Sequence, residues 1–94
     1  MIRKLKDHKY AQCHVELRAD QMRFWSYSTV VITATLTPAG GHVISCTGTY
    51  SPTTRKQIGW FLKEYFPTLN YYDMKRIAGD HSTITLNRGG ETIG

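Results

Sequence analysis

The chain has 94 residues, enough for one domain with a single modest core, and its 40% hydrophobic and 20% charged residues are ordinary for a soluble globular protein. No apolar run approaches the roughly 18 residues a membrane-spanning helix needs, and the start, MIRKLKDHKYAQ, lacks the apolar segment of a secretory signal, so the cytoplasm is the expected compartment. A net charge of +5 and a pI near 9.4 favour nucleic acid or an acidic protein surface as partner, or serve solubility alone.

In chain order, residues 1–9 carry Arg3, Lys4, Lys6 and Lys9 against Asp7. They read as a short amphipathic turn or a basic arm able to touch phosphate. Cys13, Val15 and Leu17 then alternate with His14, Glu16 and Arg18, the period of a strand with one core face. After a turn at Ala19-Asp20-Gln21, Met22 and Phe24 continue the core parity while Arg23, Trp25 and Tyr27 take the other.

The stretch from Ser28 to Phe66 predicts strand, turn, strand, helix. Val30, Ile32, Ala34 and Leu36 share one parity, with Val31, Thr33 and Thr35 on the other. Pro38-Ala39-Gly40-Gly41 supplies the turn. In the second strand Ile44 and Cys46 oppose Val43, Ser45, Thr47 and Thr49. Ser51 is placed to cap a helix, Pro52 suits its first position, and Thr54, Ile58, Phe61, Leu62 and Tyr65 recur at helical spacing until Pro67 stops the run. This stripe is expected to lie on the Val30/Ile32/Ile44/Cys46 face of the hairpin.

No Asp, Glu, Lys or Arg occurs between Phe24 and Thr54. The outward parity of the hairpin is therefore neutral and rich in hydroxyls, and exposed sheet surfaces ordinarily carry charge to discourage unwanted pairing. Such a surface is covered by another element of the chain, by a second copy in a homodimer, or by a partner. Further on, Tyr71 to Ala78 predicts a short helix closed by Gly79, Ser82 to Leu86 a final strand, and residues 88–94 a flexible tail. The expected architecture is one α+β domain over residues 1–94. An antiparallel sheet of four or five strands carries one main helix on one face and a second short helix.

Catalytic and metal motifs do not stand out. Cys13, His14, His42 and Cys46, with His8 and His81, include no Cys-x-x-Cys pair, and Cys13 and His14 point to opposite faces. No GxSxG elbow and no phosphate loop is present, and the seven acidic residues are scattered. The expectation is a protein without catalytic residues, metal or cofactor. The surface is more informative. Trp60 falls away from the apolar stripe, in the sector of Lys56 and Lys63, where it can stack on a base, anchor a protein interface, or be covered by the N-terminal segment or the second helix. Arg55 and Lys56 flank the helix start, an end suited to an anion unless Ser51 simply caps it. Tyr71, Tyr72, Lys75 and Arg76 form an aromatic and basic group. With Arg3, Lys4 and Lys6, these are the candidate contacts to nucleic acid or an acidic surface.

The run Ser26-Tyr27-Ser28-Thr29-Val30-Val31, followed by Tyr50-Ser51-Pro52-Thr53-Thr54-Arg55-Lys56-Gln57-Ile58 and Phe61-Leu62, resembles a pattern in small phage and prophage proteins of unknown function. These carry a SYxT strand and an SxTTxKHI helix start, and Gln57 here stands where that pattern often has His. The resemblance spans the middle of the chain. It implies a stoichiometric binder that blocks a host protein or ribonucleoprotein complex, as anti-CRISPR proteins block Cas effectors. A basic chain does not suit DNA mimicry, so the target face would be acidic protein, guide RNA or their junction. The alternative is a small nucleic-acid-binding accessory protein.

Overall fold

A computed structural model describes residues 1–48 and 51–93. Thr49 and Tyr50, counted above in the second hairpin strand and the helix-start motif, and Gly94 of the tail lie outside the described residues. The fold is α+β. Its strands are β1 (Ile2–Arg3), β2 (Cys13–Leu17), β3 (Gln21–Ser26), β4 (Thr29–Leu36), β5 (His42–Cys46), β6 (Ile84–Leu86) and β7 (Thr92–Ile93). Two helices, α1 (Pro52–Tyr65) and α2 (Tyr71–Asp80), are inserted between β5 and β6. Every strand pairs antiparallel with the next in sequence, giving one seven-stranded meander instead of the expected four or five strands. The additional strands are the edges. The expected basic arm contributes β1 and buries Leu5 completely, and the expected tail contributes β7.

The core lies on one face of the sheet. Val15, Phe24, Ile32, Ala34, Ile44, Ile84 and Leu86 from the strands meet Ile58, Phe61 and Leu62 from α1 and Met74 and Ile77 from α2, all buried. Phe24 and Phe61 stack with centroids 4.6 Å apart. Each of these side chains except the small Ala34 contributes roughly 1.5–3 kcal/mol by leaving water. The stripe on α1 is the one its periodicity predicts, with Gln57 added and Tyr65 half-buried.

One inward assignment changes. The register slips between Phe24 and Trp25, so Phe24 pairs Ile32 but Trp25 pairs Val30. Val31 is the extra residue of this β-bulge, and a bulge resets the alternation. Val31 is therefore buried, while Val30 is half-buried on the opposite face beside Trp25.

Local chemistry explains the turns and ends. Ser26 pairs Thr29 across a two-residue turn in which Tyr27 adopts φ 54°, a conformation rare for a bulky side chain. In the Pro38–Gly41 turn Gly40 takes φ 89°, and a Cβ on Gly41 would collide with the Leu86 carbonyl, so both glycines are required there. Ser51 Oγ accepts from the Thr54 N–H, and α1 ends on a Phe66 cap before Pro67. Asn70 and Asp73 form a reciprocal capping box at the start of α2. That helix passes through Gly79 and ends two residues later on His81, which takes the left-handed conformation at φ 52°.

Candidate functional site

Both helices pack on the core face, so the molecule has two dissimilar sides. On the helical side, α1 presents Lys56, Gly59 and Lys63 as an exposed ridge. Trp60 leans off that ridge toward the N-terminal segment and is half-buried, touching the core. His8 stacks on the indole with ring centroids 3.7 Å apart and planes 8° from parallel. The Lys6 N–H donates to Glu64 Oε1 at 2.7 Å and pins the same segment to α1. Lys6, Asp7, His8, Trp60, Lys63 and Glu64 thus line an open groove of about 330 Å³. Of the residues singled out in the sequence, Lys6, Trp60 and Lys63 meet here. The N-terminal segment covers one ring face of Trp60, and the groove leaves part of the indole accessible.

A second group forms on the opposite flank of α1. The Arg55 guanidinium lies over the Tyr71 ring, 4.8 Å from its centroid, a cation–π contact. Tyr71 and Tyr72 meet edge to face at 5.8 Å, and Tyr72 is 73% exposed. Lys75 and Arg76 follow Tyr72 one turn later on the surface of α2, with Arg76 3.8 Å from Asp73. Arg55, Tyr71, Tyr72, Lys75 and Arg76 therefore share one region, apart from the Trp60 groove.

Two expected contacts are engaged within the fold. Lys4 Nζ donates to the Ala11 and Cys13 carbonyls at 2.9 and 3.2 Å. Arg3 lies in β1, and its side chain interacts with Tyr65. Burial pushes the Tyr65 phenol up, Glu64 adds to this, and Arg3 opposes it. The start of α1 is capped by Ser51 itself.

Ser26, Thr54 and Gln57 form a buried polar junction between β3 and α1. Ser26 Oγ donates to Gln57 Oε1 at 2.6 Å and lies 2.9 Å from Thr54 Oγ1. Ser26 and the Thr54–Gln57 pair are about thirty residues apart in sequence and meet only through the packing of α1 on β3. No titratable group takes part, and the junction fastens α1 to the sheet.

The cysteines lie on the core side of β2 and β5, with β3 and β4 between them, and both are free thiols. At about 4.8 Å per strand that separation is too large for a disulfide. Burial pushes both thiols up, with Lys4 opposing this at Cys13. No group of three His, Cys, Asp or Glu among the described residues is arranged to hold a metal ion, and no helix among them is long and apolar enough to cross a membrane.

The other side of the sheet holds a feature absent from the sequence-based candidates. Trp25 donates its indole N–H to Glu16 Oε1 at 3.2 Å and stacks on His14 with centroids 5.7 Å apart. Ile2, Tyr27 and Ser28 complete a shallow groove of about 290 Å³. Trp25 stood on the outward parity, but the pairing of β2 with β3 is what brings His14 and Glu16 beside it. The Trp25 hydrogen bond is the main cause holding the Glu16 carboxyl below its usual range, with Arg18 assisting and burial opposing. A comparison of the chain with protein families, curated proteins and solved structures finds no match.

Proposed function

We propose that the protein acts by stoichiometric binding and not by turnover, as a phage-type accessory protein that blocks a host defence complex such as a CRISPR effector. The observation that supports this reading is the grouping of exposed cations with aromatic rings along α1. Lys56 and Lys63 stand on the ridge, the His8–Trp60 stack on one flank and the Arg55–Tyr71 pair on the other. Such a ridge suits an acidic protein face or the phosphates of a guide RNA, where cations give reach and rings give anchoring area. The resemblance to small phage proteins supplies the class of target.

The test is plasmid interference in cells with an active CRISPR effector. The protein should restore transformation by a targeted plasmid, and the double reversal Lys56→Glu with Lys63→Glu should abolish that rescue without lowering the melting temperature, since both side chains are exposed. Purified protein that forms no complex with effector or guide at low salt would sink the reading. A second reading, a small nucleic-acid-binding protein, draws on Arg55 over Tyr71 beside exposed Tyr72, a platform on which a base can stack. Salt separates the two. Binding to free nucleic acid should weaken steeply as salt rises, whereas a protein-directed inhibitor should bind its target without free nucleic acid.

A further inference from the structure

We infer that the region of Arg55, Tyr71 and Tyr72 takes single-stranded nucleic acid in preference to duplex, with an unpaired base stacked on Tyr72. The inference rests on the nucleic-acid reading of this region and narrows its ligand. Tyr72 is 73% exposed, yet its ring is oriented, because it meets Tyr71 edge to face with planes 70° apart. Tyr71 is held in turn by the Arg55 guanidinium, 4.8 Å from the ring centroid. An edge-to-face contact occupies at most one face of either ring. Tyr72 therefore offers a ring face to solvent whose direction is set before anything binds.

Cations stand where the phosphates of such a strand would run. Lys75 and Arg76 lie three and four residues after Tyr72 and are exposed, a spacing that sets side chains about 5–6 Å apart at Cβ on one helical face. Arg55 supplies a further positive charge on the Tyr71 side. The Trp60 groove differs on both counts. Asp7 and Glu64 balance Lys6 and Lys63 there, and His8 already covers one face of the indole.

The balance of charge and aromatic surface selects the single strand. α2 carries Asp73 and Asp80 against Lys75 and Arg76, so it is neutral as a whole, and Arg76 lies 3.8 Å from Asp73. Arg55, Lys75 and Arg76 are then the cations of the site, short of the roughly 6–10 phosphate contacts of a strongly salt-dependent duplex binder. Stacking has to supply much of the affinity. In a duplex the faces of each base are covered by its neighbours, and extruding one costs free energy that a single strand does not lose. Every base has a stacking face, so the platform should tolerate any sequence.

Fluorescence anisotropy of the intact chain at low salt tests it, with labelled oligouridine, oligothymidine and a DNA duplex of the same length. A single strand should bind about tenfold more tightly than the duplex, the equivalent of one stacked base, and whichever of the two strands binds more tightly identifies the preferred sugar. Tyr72→Ala should remove that preference and Tyr72→Phe should keep it, both with the wild-type melting temperature, since the side chain is exposed. Affinity should fall with salt on a logarithmic slope of about −2, three cations at about −0.7 each, and Lys75→Ala should take away one cation's share. Duplex binding as tight as that of the single strands overturns the inference and leaves the nucleic-acid reading standing, whereas no binding of any of the three overturns both. Single-strand binding unchanged in a folded Tyr72→Ala variant overturns the inference too. Should that variant fail to fold, an oligouridine carrying iodouridine decides on the wild type: irradiation should crosslink it to Tyr72, and crosslinks found only elsewhere overturn the inference.

Discussion

The two faces of the sheet are built from the same strands and could hardly be less alike. One carries Val15, Phe24, Ile32 and Ile44 and is closed by two helices, which leave these side chains buried. The other alternates hydroxyls with valines and leaves a tryptophan half in solvent. Each side of the molecule also holds a tryptophan stacked on a histidine. Trp60 and His8 touch at 3.7 Å among lysines, whereas Trp25 and His14 stand 5.7 Å apart with Glu16 holding the indole N–H. The difference teaches that an aromatic pair does not by itself name a partner. Its neighbours matter as much: Trp60 lies in a groove where Lys6 and Lys63 face Asp7 and Glu64, whereas Trp25 is tied to Glu16 on a surface otherwise rich in hydroxyls.

The sharpest way to break the contrast is to charge the closed face. Ile58→Asp puts a carboxylate among wholly buried side chains, at a cost of several kcal/mol against a total stability of about 5–15. The variant should be unfolded by circular dichroism, and a cooperative melt at the wild-type temperature would mean the faces are assigned backwards. A smaller effect is expected where the closed face is fastened. Ser26→Ala removes the hydroxyl that serves Gln57 and Thr54, and should lower stability by about 1–3 kcal/mol, read as a lower denaturant midpoint with the same slope. An unchanged midpoint would show the junction to be replaceable by water.

The smallest effect belongs to the open face. Glu16 has a depressed folded-state pKa, so its contribution is present above the ordinary value of 4.5 and lost as pH falls through the lower one. In a Trp60→Phe background, Trp25 emission should step only below that ordinary value, and Glu16→Gln should remove the step. A step at or above 4.5 would mean that the indole does not hold the carboxylate.

Where sequence and structure agree, the signal is periodic and local. The Thr54-to-Tyr65 stripe, the Ser51 cap and the Pro38–Gly41 turn each lie within a few residues of what they determine. Val31 escaped because a single inserted residue shifts a period of two, and nothing within β4 marks the insertion. The edge strands escaped because two residues carry no period, and β1 exists only through its pairing with β2. Gly79 suggested an end for α2 that the helix passes through to His81.

The candidate surface divides the same way. Trp60 with Lys56 and Lys63 was visible on the helical wheel. His8 over Trp60 and Arg55 over Tyr71 depend on contacts between segments far apart in sequence. Trp25 gained significance only once β2 was seen to place His14 and Glu16 next to it.

The unbroken meander order has a bearing on biosynthesis. As the polypeptide leaves the ribosome, β1 to β5 can zip together hairpin by hairpin, each on a neighbour already made. Until residues 52–80 follow, the greasy underside of that nascent sheet has nothing over it. A chain stalled after Cys46 would expose that underside to other nascent chains, so aggregation is the fate expected of such a fragment.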